Sequence, residues 1–211
     1  INKYIPNLCK GVDAGGWFFL SVAGAGSVPS GMQTRAILDG NQWVINGTKM
    51  WISSAEHAGV FVVWAVTDPT VARGKGITCF LVERGTPGVT IGKAENKMGQ
   101  RGSCTNPVIF EDCRVPVENR IGKEGQGFKT AMKVLDKGRL RIAGMSVGAA
   151  ERLIDECISY AKERIQFNKP IAEFQLIQAM LADSQAESYA ARCMLMDAAQ
   201  RKANGQVITM E

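Results

Sequence analysis

The sequence predicts a multi-domain α+β chain, in which an antiparallel β-barrel or sandwich is followed by long antiparallel helices of a four-helix-bundle domain. Three observations carry that expectation. Up to about Val117 the chain is made of short β-branched and aromatic runs separated by turn dipeptides. From about Gly127 apolar residues recur every three or four positions instead. Between two long helical stretches stands Asn168-Lys169-Pro170, and proline disfavours helix in the residue before it. The expected division is a β-domain over 1–120 and the first helices of a bundle over 121–211.

Strands are expected at 17–22, 35–38, 42–45, 49–52, 60–66, 76–82 and 108–110. Asp39-Gly40, Asn46-Gly47, the glycines of 74–76 and Pro87-Gly88 punctuate them as hairpins and tight turns. No helical pattern lies between these runs, which favours antiparallel pairing over a parallel sheet.

The first helix shows its buried face in Ala143, Val147, Ala150, Ile154, Ile158, Ala161 and Ile165. A second starts near Glu173 and carries Phe174, Ile177, Leu181, Ala191, Leu195 and Ala198 on one side. Ser184 and Ser188 fall on that stripe, where small residues let helices approach closely. Asn204-Gly205 supplies a stop. Two such helices cannot bury both stripes against one another alone, so further helices or another subunit are expected.

Composition bounds the function. The chain is 45% hydrophobic and 21% charged, ordinary globular material, and its longest apolar run, 60–66, is far short of the ~20 residues a membrane span needs. No secretory leader is visible, and a chain opening on Ile1 reads as a piece of something longer. Six cysteines without a C-x-x-C pair argue for reduced, mostly buried thiols, hence a bacterial cytoplasm or a mitochondrial matrix. A single histidine, His57, argues against a zinc site and a nucleophilic triad. The formal charge of +5 suits a phosphate-bearing ligand or an acidic partner, and equally a solvated surface.

Several residues could carry chemistry. In "FFLSVAGAGS" (18–27) an aromatic strand runs into Ser21, Gly24, Gly26 and Ser27, whose backbone N–H groups and hydroxyls suit phosphate or a heteroaromatic edge. The stretch lacks the G-x-G-x-x-G spacing of a nicotinamide site. Trp51, directly before Ile52, Ser53 and Ser54, either caps a barrel end or faces a flat ligand. Asp136 and Arg139 lie three apart on one helix face, by default an ion pair. Arg164 stands at a helix end, where a cation favours the dipole.

Taken in order, "FFLSVAGAGS", "NGTKMWISS", "GTPGVTIGK", "NKMGQRGSCTNPVIFEDCRVPVEN", "GKEGQGFKTAM", "LDKGRLRIA" and "AKERIQFNKPIAEFQ" resemble the acyl-CoA dehydrogenase family across nearly the whole chain. The resemblance implies noncovalent FAD held between a β-domain and a helical bundle, in a homodimer or homotetramer that shares its flavin sites. It places Phe18, Leu20, Ser21, Gly26, Ser27, Trp51, Ile52 and Ser53 at the flavin, with Ser53 where Thr is usual. It places Arg164, Gln166, Phe167, Phe174 and Gln175 at the FAD of a neighbouring subunit, with Arg164 on the pyrophosphate. Ser27, Asp136 and Arg139 match contacts to the acyl-CoA substrate. The implied reaction is α,β-dehydrogenation of an acyl-CoA thioester to the trans-2-enoyl-CoA, with electrons passed to an electron-transfer flavoprotein, in fatty acid or amino acid catabolism. The alternatives on the same scaffold are an enoyl-CoA reductase and a flavin-containing relative that binds DNA.

The chain departs from the family pattern in places. Ser21, Val22 and Ala23 stand where the flavin loop usually has Thr-Glu-Pro, and Val28 stands where it has Asp. Asn168 replaces a usual Gly. Some branches carry the catalytic glutamate just before the residue matching Arg139, and here that residue is Gly138. The general base is therefore expected beyond Glu211, and neither Glu124 nor Asp136 is assigned that role.

Overall fold

Strands β1 (Ala14–Phe18), β2 (Arg35–Asp39), β3 (Gln42–Ser53), β4 (Ala58–Val66), β5 (Ile77–Glu83), β6 (Val89–Ile91), β7 (Thr105–Pro116) and β8 (Arg120–Ile121) form one eight-stranded sheet. Its order is β6-β7-β3-β2-β4-β5-β8, with β1 also paired to β4. The computed structural model describes residues 3–10, 14–18 and 28–211. These fall into two compact units, Ile1–Ala131 and Met132–Glu211.

The sheet is antiparallel except at two places. β1 runs parallel to β4, and β2 touches β4 in parallel at Arg35 and Val66. Antiparallel pairing throughout was the expectation. Both parallel contacts fall on β4, which is apolar along nearly its whole length and largely buried, as strands in parallel pairing commonly are. The core gathers Trp43, Ile45, Phe61, Val63, Phe80, Val82, Val108 and Phe110, and the Trp43 and Phe80 rings lie 5.3 Å apart at 59°. A short helix α1 (Ile5–Cys9) is tied to β5 by Lys3 and Tyr4, both bonded to Glu83.

The turn at Asp39-Gly40 forms as expected, with Gly40 at φ +62° between β2 and β3. Asn46-Gly47, expected to turn the chain, does not. β3 continues through it as one strand, and the irregularity lies opposite, where β7 bulges with Asp112 at φ +47°. Asn46 holds that bulge: its side-chain amide donates to Asp112 Oδ1 at 3.1 Å, and Asp112 N–H donates back to Asn46 Oδ1 at 2.8 Å. Gly47 is required for a different reason. At φ +140° a Cβ there would lie 2.8 Å from Thr34 Cα. The second bulge is on β3 itself. Residues 50 and 51 share one position opposite β7, which reverses the in–out alternation, so Lys49 and Ile52 face inward and Trp51 faces out.

Lys49 is 0% exposed. Its ammonium nitrogen donates to Trp64 O at 2.7 Å and lies 4.0 Å from Met32 Sδ. Burial pushes its pKa down to about 7 from an ordinary 10.5. Burial also raises the Cys79 and Cys113 thiols, to about 12 and about 11.

α2 (Gly127–Glu163) begins on the sheet unit, where the Trp64 indole donates to Gly127 O at 3.0 Å and Ala131 is buried. It then runs beside α3 (Gln175–Ala203). Arg192 donates to Glu151 at 2.8 Å, and a Cβ on Gly144 would meet Leu195, so the two helices are antiparallel. Ile154, Ala161, Ser188 and Ala198 of the expected stripes are buried, whereas Ala143 is exposed. Ile165 is not helical, contrary to the periodicity. α2 stops at Glu163, and Ile165 belongs to a miniature hairpin, β9 (Ile165–Gln166) with β10 (Lys169–Pro170). Phe167 and Asn168 at φ +51° and +64° make its two-residue turn, the left-handed geometry such turns need. Apolar spacing alone could not register that reversal. No helix among the described residues is long and apolar enough to cross a membrane.

Two outcomes are expected. Gly47→Ala forces a Cβ against the Thr34 backbone and should lower stability by roughly 1–3 kcal/mol, read as an earlier urea transition of the sheet unit. Lys49 is neutral when folded above about pH 7 but protonated when unfolded up to about 10.5, so unfolding takes up a proton across that window. Its contribution therefore makes stability rise with pH, by up to about 1.4 kcal/mol per pH unit. Denaturation midpoints from pH 7 to 10 should lose that rise in Lys49→Met.

Candidate functional site

Trp51 is the outstanding feature of the sheet unit. It sits in the β3 bulge at φ +62°, a conformation bulky residues rarely adopt, and the residue is 57% exposed. Bulges beside binding sites commonly re-aim a side chain, and backbone strain of this kind concentrates where function needs it. Ser53, two residues on, is exposed and pairs with Thr105. Between them Ile52 is buried. An outward indole beside an exposed hydroxyl fits the edge and face of a planar heteroaromatic group. Phe18 ends β1; Leu20, Ser21, Gly26 and Ser27 lie outside the described residues.

The turn that follows is held firmly. Ser54, at φ +60°, donates its N–H to Cys104 O at 2.9 Å, and His57 N–H donates to Ser54 O at 3.0 Å. The Arg84 guanidinium lies against the carbonyls of Ala55, Glu56 and Ala58. This places donor atoms of Glu56, His57 and Cys104 within 4.8 Å of one another. Cys104 is far from His57 in sequence, and only the pairing of β3 with β7 brings it there; a lone histidine gave no sign of the grouping.

A groove of about 600 Å³ opens elsewhere on the sheet unit, walled by Met32, Arg35, Asp68, Val71 and Arg73 among others. In the second unit, Asp136 and Arg139 pair at 3.4 Å, and the Thr209 hydroxyl donates to Asp136 Oδ2 at 3.3 Å. They edge a second groove of about 580 Å³ whose walls include Leu140, Val147, Met194, Leu195 and Ile208. A Cβ at Gly138 would meet nothing within 4 Å.

The miniature hairpin gathers the remaining expected residues. Arg164, Gln166 and Phe167 are exposed, Phe167 by 87%. Phe174 caps α3, and Gln175 opens it. Phe167 and Phe174 meet edge to face at 6.1 Å, with Lys169 Nζ 4.5 Å from the Phe174 centroid. Within four residues, the hairpin and the residue before it thus expose a guanidinium (Arg164), an amide (Gln166) and an aromatic ring (Phe167).

Two family models match the chain: acyl-CoA dehydrogenase, middle domain, over residues 18–113, and acyl-CoA dehydrogenase, C-terminal domain, over residues 125–211. The chain is 47% identical over 210 residues to the acryloyl-CoA reductase (NADH) of Anaerotignum propionicum, spanning 99% of this chain and 53% of that protein. It superposes on butyryl-CoA dehydrogenase from Megasphaera elsdenii with a TM-score of 0.92 at 39% identity, over 98% of this chain and 54% of that one. It also superposes on a chain from structural work on the electron transferring flavoprotein of Acidaminococcus fermentans, at TM-score 0.91 and 40% identity, over 98% and 54% of the two chains. The chain thus spans about half the length of the relatives it matches.

Trp51 and Trp64 should separate cleanly by mutation. With its residue mostly exposed, Trp51→Ala should change unfolding free energy by less than about 1 kcal/mol. Trp64→Ala, which empties a buried site, should cost about 3–5 kcal/mol in the same urea titration.

Proposed function

The chain belongs to the acyl-CoA dehydrogenase family, and on that premise we propose that the protein it comes from performs α,β-dehydrogenation of a short acyl-CoA thioester with FAD. The observation that supports this most is Trp51, turned outward on a strained bulge beside Ser53, within the stretch that matches the middle-domain model. The β-domain of this reading covers 1–120 and the start of the bundle 121–211.

FAD, when bound, would accept the hydride leaving the β-carbon and hand the electrons to an electron-transfer flavoprotein. The work of this chain is to hold and orient. Trp51 would offer its indole face to the flavin ring and Ser53 its hydroxyl, with Ile52, Phe18, Leu20, Ser21, Gly26 and Ser27 assigned to the same site by the family resemblance. Arg164 would fork onto the pyrophosphate of a flavin bound to a second copy, flanked by Gln166, Phe167, Phe174 and Gln175, which makes a homodimer or homotetramer part of the proposal. Asp136 and Arg139, with Ser27, would hold the acyl-CoA. Arg35 and Arg73 offer further guanidiniums for phosphoryl oxygens. The general base that takes the α-proton is assigned to a glutamate outside these 211 residues. Reduced thiols fit a bacterial cytoplasm or a mitochondrial matrix.

A second reading has its own support: the relative at 47% identity is a reductase of acryloyl-CoA. An anaerobic assay of the full-length protein in both directions separates the two. Bleaching of bound flavin by a saturated short acyl-CoA supports dehydrogenation, and turnover of only the enoyl-CoA supports reduction. A protein that stays colourless after incubation with FAD rejects both.

Arg164→Ala should weaken FAD retention by about 1.5–3 kcal/mol, the worth of a hydrogen bond to a charged group. Flavin content after gel filtration, compared with wild type, measures it.

A further inference from the structure

We propose that Glu56, His57 and Cys104 form a binding site for a thiophilic divalent cation of the Zn²⁺ class. A carboxylate, an imidazole and a thiol are the three side-chain donor types that zinc takes. Their donor atoms all lie within 4.8 Å of one another. Around a tetrahedral zinc at ordinary bond lengths, ligand atoms stand roughly 3.3–3.8 Å apart, so the set needs to close by about an ångström. Glu56 and His57 are exposed and can rotate that far, while Cys104 is half-buried and reachable. None of the three side chains has a hydrogen-bond or ion-pair partner among the described residues, so binding breaks no existing contact.

The backbone beneath is fixed where a ligand set needs it fixed. Ser54 joins the turn to Cys104, and Ser53 pairs with Thr105, so the two segments cannot slide past one another. Two cations that border the cluster are both committed to backbone carbonyls, Arg84 to those of Ala55, Glu56 and Ala58 and Lys97 to that of Ser103. On binding, the Cys104 S–H bond breaks, its proton passes to solvent, and the thiolate with the Glu56 carboxylate balances the ion's charge. A thiolate selects against Mg²⁺ and Ca²⁺, which prefer all-oxygen sites. Three protein ligands leave a fourth position open to solvent. An ion here would clamp the turn after β3 to the start of β7, close in sequence to Trp51 and Ser53. The site is independent of the flavin reading.

The test uses the full-length protein, reduced and stripped of metal, then offered Zn²⁺ or Mg²⁺. Bound metal is measured after dialysis, and alkylation of each cysteine by iodoacetamide is followed by peptide mass spectrometry. The expected result is one zinc per chain and Cys104 alkylation slowed about tenfold when free zinc is about ten times the dissociation constant. Exposed Cys9, Cys157 and Cys193 should keep their rates, and Mg²⁺ should protect nothing. His57→Ala should abolish the protection and leave Cys104 reactive. Buried Cys79 and Cys113 monitor folding of the variant; if either becomes reactive, Glu56→Gln takes its place. Unchanged Cys104 reactivity with zinc, or protection that survives in the folded variant, overturns the proposal.

Discussion

The pairing of β3 with β7 is the constraint on which the sheet unit depends. These are its two longest strands, and nearly every feature of interest is fixed by their register. Each carries one bulge, and each bulge reverses the in–out alternation of its own strand. On β7 the reversal keeps Val108 and Phe110 inward before it and Cys113 and Val115 inward after it. On β3 it keeps Lys49 and Ile52 inward and turns Trp51 out. A regular strand would have sent Trp51 to the face that Lys49 occupies. The exposed indole is therefore a product of one inserted residue rather than of an unfilled core.

The same ladder explains how much of the molecule was legible beforehand. Runs of β-branched and aromatic residues marked β4 and β5 because burial on the sheet demands them, whereas β2 was marked by the same kind of run although only its Ala36 is buried. The three-and-four spacing marked α2 and α3 because one face of each is covered. Asn46-Gly47 misled because a residue pair suited to a tight turn is also suited to the crowded stretch opposite a bulge; Gly47 is needed for closeness to Thr34, not for a reversal. The outer half of β7, "EDCRVP", went unseen since charges occupy its solvent side. Ile165 kept the helical period by coincidence, while the left-handed pair Phe167 and Asn168 ended the pattern just beyond it.

The candidate site was legible to different depths for similar reasons. Residues on continuous motifs, such as Trp51 with Ser53 or Arg164 with Gln166, could be named because the family resemblance rides on local order. What the order could not supply was posture: that Ile52 points inward, or that Phe167 meets Phe174 edge to face. Groupings made only by strand pairing were beyond reach, and Glu56, His57 and Cys104 are the clear case. The helices also keep exposed apolar residues that lie off the expected stripes, including Ile142, Met145, Leu153, Leu176 and Met194.

Lys49 gives the sheet unit a built-in probe. Reagents that tag amines attack the unprotonated form, and most lysines present theirs at the surface. Lys49 holds an amine that is readily unprotonated near neutrality, yet entirely enclosed. No small electrophile can reach it through surface fluctuation alone. Its modification rate in otherwise native protein would count openings of the strands around Trp64, a clock for whole-unit breathing that needs no engineered label.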